Sequence, residues 1–161
     1  MMNRLGCVLV ALLASASPAA AAVPPTAQAT VERIYRAMPG TEFDYHKILY
    51  APVLRRLLDR DEAGPGDGVG LIDSVPFCDC QDTAPDYRFT TSARAIAAGR
   101  VEVTVHLRNG GRTTYRIDMV RLPAGWAVAD VHGPARASLV GWLRANLPPV
   151  HPASRGSRHR A

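Results

Sequence analysis

Apolar residues recur at spacings of three and four in the first third of the chain, and at spacings of two in the second half. Val31, Ile34, Tyr35 and Met38 share one face of a helix predicted over Ala27–Met38, which Pro39-Gly40 ends. Phe43 to Tyr50 is apolar and aromatic and reads as a short helical turn. Ala51-Pro52 opens a second helix, with proline at the first helical position, where no amide hydrogen is needed. Val53, Leu54, Leu57 and Leu58 form its apolar stripe, and Arg55, Arg56, Asp59 and Arg60 its wet side. Gly64-Pro65-Gly66-Asp67-Gly68 stops that helix and begins a connection running to about Thr83.

The second half alternates. Tyr87 to Ala97 is the first expected strand, with Ala98-Gly99 as its turn. Val101, Val103, Val105 and Leu107 alternate with Glu102, Thr104, His106 and Arg108, so one face is buried and one wet. Asn109-Gly110-Gly111 forms a hairpin turn, because these residues accept positive φ cheaply. Thr113, Tyr115, Ile117 and Met119 continue the alternation until Val120-Arg121-Leu122 breaks its phase, which predicts a bulge or bend near Met119. Pro123-Ala124-Gly125 turns the chain into a last short strand, Trp126–Val131. A closing helix is expected from about Ala135 to Leu147, with Leu139, Val140, Trp142, Leu143 and Leu147 toward the core and Pro148-Pro149 as its stop. Helices, then an antiparallel meander, then a helix make an α+β domain, with helices packed on a curved sheet of about four strands. Such a sheet would wrap a helix and leave a half-open cone.

The start and end of the chain change the picture of charge and address. Arg4, the short apolar run Leu5–Ala16, and the small residues up to Ala22 before Val23-Pro24-Pro25 have the layout of a secretory signal peptide, cleaved near Ala22. The expected organisation is a signal peptide over 1–22, a leader over 23–27, one domain over 28–147, and a disordered basic tail over 148–161. The 161 residues carry 19 Lys+Arg against 14 Asp+Glu. Removing Arg4 leaves 18 against 14, and setting aside Arg155, Arg158 and Arg160 of the tail leaves 15 against 14. The basic balance is thus largely a property of the tail, and a nucleic-acid role is not supported. Beyond the N-terminus no apolar run reaches the ~18 residues that argue for a membrane span. The address is periplasmic or secreted.

Asp73-Ser74-Val75-Pro76-Phe77-Cys78-Asp79-Cys80-Gln81-Asp82 and the closing Gly125-Trp126-Ala127-Val128-Ala129-Asp130-Val131, with the order of elements, resemble a bacterial family of secreted domains of unknown function (family 3828). That family is similar in fold to the nuclear-transport-factor-2-like, cystatin-type α+β cones. The resemblance covers about residues 28–147. It implies a fold and an envelope address, and no activity.

Few residues invite chemistry. Cys78 and Cys80 are the cysteines left after processing, and in an oxidising compartment they are expected to form an intrachain bond. Cysteines two apart lie near the upper limit of disulfide Cα separation unless a turn draws them together. The bond would act as a local clip on the Phe77–Asp82 loop; a redox couple and an intermolecular disulfide are the alternatives. No metal site is expected, since His46, His106, His132, His151 and His159 are scattered. No cofactor fingerprint and no catalytic motif stands out; the glycines of 64–70 do not follow a strand. Asp44-Tyr45-His46 reads as the surface of a helical turn rather than a base and its orienter. Asp73, Gln81 and Asp82 flank the cysteine loop as turn formers or a polar rim. Asp130 follows Trp126 and Val128 at spacing two, so the three are expected to share a face, with Arg88, Arg94 or Arg116 as a partner for the carboxylate. A structural role for Asp130 is expected ahead of a catalytic one.

These readings favour a non-enzymatic binding domain that engages an envelope protein or a small molecule. Its candidate surface is Asp73, Gln81, Asp82, Trp126 and Asp130 with the sheet face carrying Arg116 and Asp118. The alternatives are a small hydrolase- or isomerase-like enzyme with an inward acid in the cone, and an inhibitor or immunity protein presenting the clipped loop.

Overall fold

The structure is a computed structural model and describes residues 25–39, 43–64, 70–80, 89–107 and 110–149. Residues 1–22, expected to be a signal peptide, the connection over 65–69, Gln81, Asp82, Arg88 and the residues beyond Pro149 lie outside the described residues.

Helix α1 spans Ala27–Ala37. Thr26 caps it by accepting a hydrogen bond from the Ala29 amide, at 3.0 Å. Its expected stripe of Val31, Ile34, Tyr35 and Met38 is buried. A 3-10 turn at Tyr45–Lys47, capped by Asp44, fills the region expected to be a short helical turn. Helix α2 spans Pro52–Glu62, with Pro52 at its start. Leu54, Leu57 and Leu58 are buried, but Val53 is 39% exposed, because it sits in the first turn beside solvent rather than on the stripe. Asp61 continues the buried face of Leu54, Leu57 and Leu58 as a carboxylate: it is 5% exposed and accepts from the amides of Leu71 at 2.7 Å and Ile72 at 3.1 Å. That carboxylate ties the far end of the connection back onto α2.

Four strands form an antiparallel sheet in chain order: β1 Phe89–Ala97, β2 Arg100–Leu107, β3 Arg112–Leu122 and β4 Gly125–His132. Helix α3, Leu139–Asn146, closes the fold. The α+β architecture is the expected one. Gly99, with φ +70°, makes the β1–β2 turn, and a Cβ there would meet the Met119 carbonyl oxygen at 2.6 Å. Val101, Val103, Val105, Tyr115, Ile117, Met119, Val128 and Val131 point to one side, where they join the buried faces of the three helices in a single apolar cluster. The centre of the sheet's inner face is therefore filled, while its β1 end stays open beside α1 around Phe89 and Thr91. Burial of this kind is the main favourable term in folding.

Both sheet edges are partly occupied. On β1 the Gln28 side-chain amide donates to the Ala93 carbonyl at 3.1 Å and accepts from the Ala95 amide at 3.2 Å, standing in for a neighbouring strand. On β4, the Val128 amide donates to the Leu49 carbonyl at 2.9 Å, and the Ala51 amide to the Val128 carbonyl at 2.8 Å.

Two expectations are corrected. Helix α3 starts at Leu139, not near Ala135, because the preceding residues have other partners. The Gly133 amide donates to the Arg136 carbonyl at 2.9 Å, and Ser138 supplies the cap by accepting from the Gly141 amide at 2.9 Å. The bulge falls where the phase breaks, between Asp118 and Met119 in the β3–β4 register, but the extra residue, Ala129, belongs to β4. It reverses the phase of that strand. Val128 and Val131 both face the core, and Asp130 faces out instead of sharing the direction of Trp126 and Val128.

Candidate functional site

Three features of this frame hold the described sequence candidates. The first is the cysteine loop. Cys78 and Cys80 lie at disulfide distance, with Cα atoms 5.1 Å apart. The turn that draws them together is made by Asp79, a non-glycine residue at φ +50°. The Val75 carbonyl accepts from the amides of Cys78 at 3.2 Å and Asp79 at 2.9 Å, and the Val75 amide donates to the Cys80 carbonyl at 2.9 Å. Buried Phe77 anchors the loop, its carbonyl accepting from the Tyr35 hydroxyl at 2.8 Å. Burial, with Tyr115 and Asp79 nearby, pushes that hydroxyl well above the usual tyrosine range. The Asp79 carboxylate turns toward the sheet. It accepts from the Tyr115 hydroxyl at 3.3 Å and from Arg136 Nη1 at 3.1 Å. Arg136 also lies over the Trp142 ring, 4.7 Å from its centroid, and its Nη2 is 3.9 Å from Asp73. The described part of the loop is thus bound down onto the domain.

The second feature is the outer face of the sheet. Register brings Arg94, Glu102, Arg116 and His132 into one row across the four strands, and Arg100, Asp118 and Asp130 into the next. Arg94 Nη2 meets Glu102 at 2.7 Å. Asp118 and Asp130 sit directly opposite each other, an unfavourable placement for two carboxylates. Their partners relieve it, and His132 Nε2 stands between the two, 2.9 Å from Asp118 and 3.7 Å from Asp130. Asp118 accepts from Arg100 Nε at 2.7 Å and contacts His132 Nε2 at 2.9 Å, with Arg116 Nε at 3.9 Å. Burial pushes its carboxyl up, but the hydrogen bonds from Arg100 and His132 together outweigh this and hold it below the usual carboxylate range. Asp130 is taken by the start of α3: Ser138 Oγ donates to it at 2.5 Å and the Val140 amide at 3.0 Å. It also accepts from its neighbour's amide, Val131, at 2.8 Å. Negative charge is favoured at a helix N-terminus. No arginine pairs with Asp130 among the described residues; Arg94 is on Glu102, and Arg116 reaches toward Asp118.

The third feature is a groove of about 480 Å³ at the β4 edge, between α1, the segment after the 3-10 turn, and the β3–β4 turn. Trp126 forms part of its wall beside Ile48 and Leu49. Arg33 and Lys47 are its charged residues.

Of the sequence candidates, Arg116, Asp118 and Asp130 come together on the outer face. Asp73 stands apart at the clip, exposed, and Trp126 lines the groove on another side of the domain. Gln81 and Asp82 lie outside the described residues. Sequence reasoning missed Asp79, Arg136, His132 and Ser138 as partners, and Arg33 and Lys47 as groove residues. Asp79 was detectable as the one residue between two cysteines, a position that must turn sharply; the others depend on register or tertiary packing. The Asp44-Tyr45-His46 segment is structural: Asp44 caps the turn, and His46 contacts Glu62.

Compared with protein-family models, curated proteins and solved structures, the chain matches none. No helix among the described residues is long and apolar enough to cross a membrane.

Proposed function

We propose that this protein is a periplasmic or secreted, non-enzymatic binding domain, and that its contact region is the groove end of the fold around Trp126. It engages an envelope protein or a small molecule there. The signal-peptide layout and the resemblance to family 3828 support the address. The observation that carries the binding reading is a contrast. The centre of the sheet's inner face, where a catalytic cone would keep a cavity, is filled with apolar side chains, whereas openings remain toward its two ends: the groove at Trp126, whose charged lining is cationic, and a space of about 550 Å³ between α1 and β1, where Glu32 and Arg36 carry opposite charges.

The enzyme alternative has His132 and Asp118 within hydrogen-bond reach to draw on. They lie on the outer face of the sheet, and the other ring nitrogen of His132 is 2.5 Å from the Ala137 carbonyl oxygen. Both ring nitrogens are thus engaged, which leaves none for a substrate. The inhibitor alternative needs a protruding loop, but the clip turns Asp79 inward onto Tyr115 and Arg136.

The test is photo-crosslinking in live cells, with the crosslinker placed at Leu49 in the groove and at Thr104 on the sheet, and adducts read by mass spectrometry. A dominant adduct, protein or small molecule, from Leu49 and not from Thr104 is the expected result. A dominant adduct from Thr104 alone moves the contact region to the sheet face and overturns the reading.

A further inference from the structure

The groove has a definite chemistry. Its charged residues are both cations, Arg33 from α1 and Lys47 from the end of the 3-10 turn, and among the described residues no carboxylate lines it. Arg33 is exposed, and its guanidinium has no hydrogen bond or ion pair among the described residues, unlike Arg55, Arg94, Arg100 and Arg136. Lys47 has a loose partner only. Its Nζ is 3.5 Å from Asp44, with the side chain 81% exposed, and such surface pairs are worth little. Asp44 is engaged elsewhere, capping the His46 amide at 3.0 Å. Both cations are therefore available to an incoming anion.

Beside them the wall is apolar. Leu49 is 40% exposed, Ile48 is partly buried, and Trp126 presents an indole packed against the core on part of its surface. An aromatic wall next to paired cations suits a ligand with a charged head and an apolar body. The wall is also preformed. The chain on either side of Leu49 is pinned to β4 through Val128 and Ala51, at 2.9 and 2.8 Å. The Tyr50 hydroxyl donates to the Tyr45 carbonyl at 2.8 Å, and Arg55 to the His46 carbonyl at 2.8 Å. A site that is already ordered loses less conformational freedom on binding. Its volume of about 480 Å³ lies within the range of small-molecule sites, roughly 300–1,000 Å³.

We propose that this groove binds a small amphipathic carboxylate. The head lies between Arg33 and Lys47, and the aromatic or aliphatic body lies against Leu49 and Trp126. The proposal rests on the groove being the contact region and names the chemistry of its ligand. Arg33 supplies a planar fork of donors matched to a carboxylate, and Lys47 a mobile point charge.

Lys47 is the single lysine of the chain and provides its own reporter. Reductive methylation with carbon-13 formaldehyde labels Lys47 and the amino terminus and keeps their positive charge. The mature protein is then titrated with 3-phenylpropionate, with 3-phenylpropionamide, and with inorganic phosphate, while the methyl signals and tryptophan fluorescence are followed. The expected result is a saturable shift of the Lys47 signal with the carboxylate, absent with the amide. Arg33→Gln should weaken it about tenfold, the loss of one charge-assisted contact, and Leu49→Asp should abolish it. Both substitutions are at exposed positions, so thermal unfolding should be little changed. No saturable shift, an equal shift with the amide, or indifference to Arg33→Gln overturns the proposal. Saturation by phosphate but not by the carboxylate overturns the amphipathic part and leaves a simple anion site. Failure here alongside a Leu49-specific protein adduct in cells would remove the carboxylate ligand while the groove stays the contact region; loss of both would remove the groove.

Discussion

The two faces of the sheet are built from the same strands and held by different physics. Over β2, β3 and β4 the inner face is an apolar surface covered by α1, α2 and α3, with Val101, Val103 and Ile117 completely buried. The outer face is a lattice in which Arg94 meets Glu102, Arg100 and His132 meet Asp118, and the start of α3 holds Asp130. Apolar burial is cumulative and non-directional, so the inner face carries the stability. Exposed ion pairs return little, because solvent screens them and ordering long side chains costs entropy. Polar density is therefore a poor guide to where charge is left without a close partner. The outer face holds most of the charged candidates and spends them on one another. The groove holds two cations without strong partners.

Substitutions ranked by cost can break this comparison. Ile117→Ala empties a fully buried site at the centre of β3 and should cost about 3 kcal/mol, read as a fall in the urea midpoint at constant slope. Gly133→Ala comes next. A Cβ there would stand 2.7 Å from the ring of buried Tyr115, and the strain of moving that ring should cost about 2 kcal/mol. Asp118→Asn, on the outer face, should cost about 1 kcal/mol at neutral pH. Its sign with pH is fixed by the depressed folded-state carboxyl. The stabilisation is present above the ordinary value of 3.8 and is lost as pH falls through the lower folded value. The wild type should therefore lose its advantage over Asp118→Asn in acid, in unfolding curves measured from about pH 6 to about pH 2. Arg116→Ala should be smallest, about 0.5 kcal/mol or less, since its contact with Asp118 is 3.9 Å long and half exposed. An outer-face loss as large as that of Ile117→Ala would overturn the division between the faces.

Most of the fold was legible along the chain. The stripe of α1, the alternation of β2 and β3, the glycine turns and the closing apolar helix are local patterns, and local patterns survive folding. The start of α3 was misplaced because the segment before it serves distant groups, with Arg136 reaching Asp79 and Ser138 reaching Asp130. Less of the candidate site was legible. The cysteine pair, Asp118, Arg116 and Trp126 were singled out by type and position. The direction of Asp130 was not, because one added residue reverses every side chain beyond it. The buried carboxylate of Asp61 was hidden for a related reason: its partners, the amides of Leu71 and Ile72, lie across a connection whose course no periodicity reveals.

By itself, the sequence determined what period and residue chemistry dictate: an α+β domain, its strands and turns, its apolar faces, and a cysteine pair close enough to clip a loop. Only the tertiary structure decided which strand carried the bulge, which carboxylates became capping and lattice groups, and which cations were left facing an open groove. Those outcomes depend on contacts between residues far apart in the chain, and hydrophobic periodicity carries no record of such pairings.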